Sequence, residues 1–228
     1  YLILCKLLSN INIQFLKRCH QYNELLASPS GHRKLKRVLK SWVADNPGLV
    51  YWQGLDSLAA PFLFLNFNDE ALAWACLSSF IPKYLHNMFL KDNATVIQEY
   101  LAKFSQLQAF HDPELFNHLD EIGSYKPYLT IFQFVCSGFI PDLYSIPWFL
   151  TMFSHVFPLH KIFHLWDRLL LGNSSYPLAI GLAVLKQLRY IENSKSEFKL
   201  VNNNPVYLGT VDGAQFNECI LLFSDMPA

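Results

Sequence analysis

The sequence has no excess of charge of either sign. Over 228 residues, Lys and Arg number 18, Asp and Glu number 18, and the formal net charge is zero, with eight His as the only reserve of positive charge. That balance argues against a nucleic-acid surface, which needs many phosphate contacts from basic side chains. Five Cys, at positions 5, 19, 76, 136 and 219, show no CxxC spacing and are odd in number. They read as reduced, mostly buried thiols in a cytosolic protein, not as a disulfide or zinc framework. The apolar run YLTIFQFVCSGFI (128–140) falls well short of the roughly 20 residues a membrane-spanning helix needs. The opening YLILCKLLSNI is broken by Lys6 and is followed by no clean small-residue cleavage site, so the chain reads as soluble. No fixed internal period points to a helical repeat protein. Also missing are a GxxxxGK[ST] phosphate cradle, a GxSxG nucleophile elbow and an HExxH zinc pair, so no independent catalytic turnover is expected.

What is present is apolar and helical. Hydrophobic residues make up 52% and charged residues 16%, enough to bury a large core. After SPSG (28–31), Leu35, Val38, Leu39 and Trp42 fall at i, i+3, i+4 and i+7, with Arg33, Lys34, Lys36, Arg37 and Lys40 on the other face. DNPG (45–48) is a turn. Asn68 is expected to cap a helix opening with Asp69 and Glu70, and Asn93 or Thr95 to open another carrying Val96, Tyr100, Phe104 and Leu107. Asp112 caps ahead of Pro113, in a helix expected to end at Gly123. Pro158 opens a helix that stops at Gly172, and Pro177 opens the next. FNECILLFS reads as a final helix, while no stretch alternates as a β-hairpin would. The fold class is all-α, a single multi-helix domain. Two segments break the pattern: 124–138 lacks caps and a helical stripe, and 190–215 reads as a long polar surface loop.

Three features could carry function. His160 and His164, at i and i+4, could share a metal, but no third ligand stands at matching spacing, and they read as ordinary core or surface histidines. The basic run HRKLKRVLK reads as a solvated helix face. The third is VYWQGLDSLAAPF (50–62), whose Val50, Leu55, Leu58, Ala59 and Phe62 give a helix-like apolar face, with Pro61 expected to kink or end it. Gln53 and Gly54 interrupt that apolar stretch. One explanation is an exposed amide at a helix start beside a glycine that permits a close helix crossing.

The other explanation comes from a resemblance. Tyr51-Trp52-Gln53-Gly54 matches the Tyr-x-Gln-Gly motif of the TBC domain, the all-α module that activates Rab-type GTPases. IPWFLTMF (146–153) followed by FHLWDRLLLG (163–172) resembles that family's Pro-Trp-Phe-Leu and Trp-Asp motif, in the right order and at the right distance. The resemblance covers most of residues 18–227. It implies trans-acting catalytic fingers at Gln53 and Arg18, partner contacts by Tyr51, Trp52 and Gly54, and structural roles for Trp148, Trp166 and Asp167, the last capping or bridging helices. It also implies a Rab-family small GTPase as partner, which carries its own GTP and Mg2+. The chain then needs no metal or cofactor, and meets membranes only indirectly, in the cytoplasm or at the periphery of endomembranes. GTP hydrolysis requires charge neutralisation on the phosphoryl group and an oriented water, which an arginine and a glutamine supply.

The sequence departs from the family's Ile-x-x-Asp-x-x-Arg motif before Arg18. Phe15 stands in place of the Asp, Asn12 in place of the Ile, and Lys17 where related sequences have Pro. The Phe15 departure favours the alternative, a scaffold that binds a GTPase or an assembly partner without catalysis. Residues 1–17, 124–138 and 190–215 are atypical segments, read as misjoined coding sequence or lineage-specific insertion. Transcript reads containing all three would exclude misjoining.

Overall fold

The computed structural model of the chain describes residues 20, 22–117 and 141–194, with side chains of the last stretch described for 145–187. The described helices are α1 (Glu24–Ala27), α2 (Pro29–Asp45), α3 (Leu55–Leu65), α4 (Glu70–Tyr84), α5 (Ala94–His111), α6 (Pro141–Leu150), α7 (Leu159–Leu171) and α8 (Tyr176–Ser194). Extended pairing among the described residues is limited to one antiparallel bridge, between Leu49 and Leu90. The chain folds as two compact units, Tyr1–Ile97 with Pro147–Ser174, and Gln98–Ile146 with Ser175–Ala228. The candidate site lies entirely within the first.

In that unit α2 behaves as its pattern predicts. Ser28 caps it, the hydroxyl accepting from the Gly31 N–H at 2.9 Å, and Leu35, Val38, Leu39 and Trp42 are buried. Lys34 and Arg37 on its polar face both pair with Glu70 of α4. Helix α3 is different: every residue from Leu55 to Leu63 is buried. A helical stretch buried on every side belongs in the middle of a core, and residues 55–63 of α3 take that place. Around it, Phe62, Phe80 and Trp166 form a ring cluster with centroids 4.8–5.3 Å apart, and the Tyr84 hydroxyl donates to the Leu169 carbonyl at 2.7 Å.

Several expected boundaries move. The stretch YWQG precedes α3 instead of lying within it, and Val50 is half-buried, because residues 49–52 pair with a distant segment. Pro61 does not end α3, which continues to Leu65. A proline cannot donate to the carbonyl four residues back, here Ser57. That carbonyl lies 2.8 Å from the hydroxyl of Ser154 instead. The cap of α4 is Asp69, whose carboxylate accepts from the Leu72 N–H at 3.0 Å, so Asn68 lies one residue outside it. Helix α5 opens at Ala94; Asn93 precedes it, its side-chain amide donating to the Met88 carbonyl at 2.7 Å, and Thr95 is already inside. The last described helix begins at Tyr176 and runs to Ser194, so 190–194 is helical where a loop was expected.

The Asp112 cap holds, with its carboxylate 3.1 Å from the Leu115 N–H, and α7 spans the interval between Pro158 and Gly172. Expectations for 1–17, 124–138, 195–215, the end at Gly123 and the final helix FNECILLFS lie outside the described residues. Cys76 is a half-buried free thiol; the other four Cys also lie outside them.

Candidate functional site

The segment leading into α3 is held from both ends, with Gln53 exposed between them. On its N-terminal side, Leu49 bridges to Leu90 and the Val50 N–H donates to the Phe89 carbonyl at 2.8 Å. The Trp52 indole N–H donates to the Leu90 carbonyl at 2.8 Å, while the residue as a whole is 38% exposed. Tyr51 is half-buried. On the C-terminal side, the Leu55 N–H donates to the Trp52 carbonyl at 3.1 Å, and Gly54 occupies the N-cap of α3.

Gly54 must be glycine for two independent reasons. Its φ of +110° lies in a region that L side chains rarely adopt. A Cβ there would also stand 2.9 Å from Cγ2 of Thr151. Thr151 cannot easily retreat, since its hydroxyl donates to the Pro147 carbonyl at 2.6 Å and also accepts from the His155 N–H at 3.3 Å.

Thr151 belongs to a tight turn after α6. Met152 and Phe153 are both left-handed, with φ of 46° and 66°, and both are fully buried. Such backbone persists only where its surroundings over-determine it. Here the Phe153 N–H donates to the Trp148 carbonyl at 2.7 Å, and the buried Trp166 indole N–H donates to the Met152 carbonyl at 2.9 Å. Trp148 is likewise buried, its ring 5.9 Å from that of Phe153. Both tryptophans therefore hold the turn that faces Gly54. Asp167 lies in the body of α7 and is exposed, away from either helix end.

A polar cluster missing from the motif reading adjoins this turn. Asp56 is buried in the first turn of α3, its Oδ1 accepting from the Gly54 N–H at 3.1 Å. Burial pushes its carboxyl above the usual range, opposed by hydrogen bonds to the backbone of Ser57, Gly54 and Asp56 and by His155. The Ser57 hydroxyl lies 3.3 Å from Nδ1 of His155. His20 packs here as well, its imidazole held down to a pKa of about 4 by burial and by His155, against a hydrogen bond to the Ser57 backbone. The only sequence signal for this cluster is Pro61, which marks Ser57 as the owner of a carbonyl needing another partner. Arg18 lies outside the described residues. His160 and His164 are exposed, and no cluster of three metal-ligating side chains occurs among the described residues. No described helix is long and apolar enough to cross a membrane.

An all-α chain with this glutamine turn braced by a Pro-Trp-Phe-Leu helix end and a Trp-Asp helix belongs to the Rab-GTPase-TBC domain family, whose model matches residues 6–191. It is 63% identical over 212 residues to the human (Homo sapiens) TBC domain-containing protein kinase-like protein, covering 93% of this chain and 20% of that protein. The chain thus spans about a fifth of the length of that relative. Two solved structures share the fold at 16% identity. The Ypt/Rab-GAP domain of Gyp1p matches with a TM-score of 0.64, covering 93% of this chain and 72% of that one. The Chlamydomonas flagellar RabGAP TBC domain matches with a TM-score of 0.66, covering 99% and 71%.

Proposed function

We propose that this chain stimulates GTP hydrolysis by a Rab-type small GTPase, inserting Arg18 and Gln53 in trans into the partner's nucleotide site. The observation that carries the reading is the exposure of Gln53 on a turn whose two neighbours are fixed, Trp52 by its indole and Gly54 by burial. An amide used to orient water must be accessible yet held in one direction. Tyr51, Trp52 and Gly54 are the proposed partner contacts. GTP and Mg2+ belong to the GTPase, and any contact with endomembranes is made through it from the cytoplasm.

The test is GTP hydrolysis across a panel of purified GTP-loaded Rabs, with and without this chain. Acceleration of at least one Rab, lost in Gln53→Ala, is the expected result. Failure to accelerate any Rab, or any GTP turnover by the chain alone, would count against the reading. A second reading, a scaffold that binds the GTPase without catalysis, is favoured by Phe15, which cannot orient a guanidinium as a carboxylate does. It expects binding without stimulation, indifferent to changes at Arg18, Gln53 and Phe15.

A further inference from the structure

We propose that Asp56 is the positioning residue for Gln53, acting through the peptide bond between Gln53 and Gly54. The inference rests on the glutamine-finger reading. The Gly54 N–H and the Gln53 carbonyl belong to one planar unit. A hydrogen bond from Asp56 Oδ1 to that N–H, 3.1 Å long and buried, therefore fixes the orientation of the plane. Fixing it sets the Cα–C bond of Gln53, and the Trp52 anchor on the other side limits the remaining rotation that aims the side chain. Left-handed Gly54 makes this constraint necessary. Glycine has the widest backbone freedom of any residue, so steric terms alone leave the preceding peptide free to rock.

The surroundings show how Asp56 itself is held. It is 5% exposed, in the first turn of a helix whose residues Leu55 to Leu63 are all buried. Unpaired, a carboxylate there would be costly, and the backbone of Ser57, Gly54 and Asp56 together with His155 supply its compensation. Near the N-terminus of a helix it also lies at the positive end of the macrodipole. The side chain spans the joint between loop and helix: two residues inside α3, it reaches back to the cap. Trp52 restrains Gln53 from the other side through Leu90, so the amide projects from a turn gripped at both flanks.

The experiment uses the full chain with a responsive Rab, comparing Asp56→Ala, Asp56→Asn and Gln53→Ala. The maximal stimulated rate and the half-saturating concentration are measured separately, with hydrogen exchange of the Gly54 amide followed in the absence of any Rab. A misplacement on the ångström scale costs on the order of 10²-fold in rate. Asp56→Ala should lose about that factor in maximal rate at unchanged half-saturation, with faster exchange at Gly54. Asp56→Asn, which keeps an oxygen acceptor of the same shape, should restore both. If Gln53→Ala abolishes stimulation while Asp56→Ala retains it, or if Asp56→Ala shifts only half-saturation, the inference is overturned and the finger reading survives. If Gln53→Ala keeps full stimulation, the finger reading fails and the positioning role falls with it, even where Gly54 exchange shows the hydrogen bond to be present. Unchanged Gly54 exchange in a folded Asp56→Ala variant overturns the inference on its own.

Discussion

Thr151 stands over Gly54, with Cγ2 2.9 Å from where a Cβ on that glycine would be. The two residues are far apart in sequence, yet the contact joins the turn after α6 to the cap of α3. It gives Gly54 a packing reason to be glycine in addition to its positive φ.

These two reasons are separable. Gly54→Ala should destabilise the fold by at least about 1–3 kcal/mol for the strained backbone, with a further cost for the clash. Thr151→Ser removes Cγ2 but keeps the hydroxyl that reaches the Pro147 carbonyl. In the Thr151→Ser background Gly54→Ala should therefore cost less, though not nothing. Denaturant unfolding of the four proteins measures the difference. Equal costs in both backgrounds would show that the methyl contact does not constrain Gly54.

Ser154 and Pro61 should be coupled through the Ser57 carbonyl. The Ser154 hydroxyl lies 2.8 Å from that oxygen and 2.7 Å from the Thr151 carbonyl, so one proton serves two acceptors. Ser154→Ala should cost about 1–3 kcal/mol by leaving buried acceptors underused. A Pro61→Ala background supplies an N–H to Ser57, and the cost should shrink there. Additive free energies in the double-mutant cycle would rule out the compensation.

Gln53→Ala should leave stability within about 0.5 kcal/mol, because an exposed side chain makes little packing. Arg18→Lys lacks the planar fork that bridges phosphate oxygens. Loss of an arginine finger typically removes about 10³–10⁵ in rate. If both variants retain full stimulation with unchanged melting, neither residue is a finger. Phe15→Asp should raise stimulation where the arginine is otherwise competent.

Acid should weaken the fold through His20. Its folded pKa is about 4 against 6.5 for the free group, so below 6.5 the unfolded chain binds a proton that the folded chain refuses. Its contribution is complete above about 6.5 and is lost as pH falls toward 4, on the order of 3 kcal/mol in all. Asp56, with its carboxyl raised, has the opposite sign: its contribution is present below 3.8 and declines as pH rises through its folded value. Stability followed from pH 7 to 4 should fall in the native chain and flatten in His20→Gln. An identical slope in both would exclude His20 as the source.

Elements whose causes are local were legible in the linear chain. The stripe from Leu35 to Trp42 makes α2 amphipathic, Asp112 caps through an N–H three residues away, and Pro158 and Gly172 bracket α7. The Tyr-Trp-Gln-Gly motif likewise pointed to Gln53, through residue identity and order. What surrounds Gln53 was decided by tertiary structure. The motif precedes its helix because Trp52 hydrogen-bonds Leu90, 38 positions away. Helix α3 runs through Pro61 with the hydroxyl of Ser154, 97 positions from Ser57, beside the carbonyl that the proline cannot serve. Helix periodicity and capping depend on neighbours within about one turn, so a linear reading reaches them. A left-handed glycine under a threonine methyl, or a serine carbonyl beside a hydroxyl 97 positions away, depends on which distant segments the core brings together. No local pattern encodes those pairings; they arise from packing the apolar surface of α3 on every side.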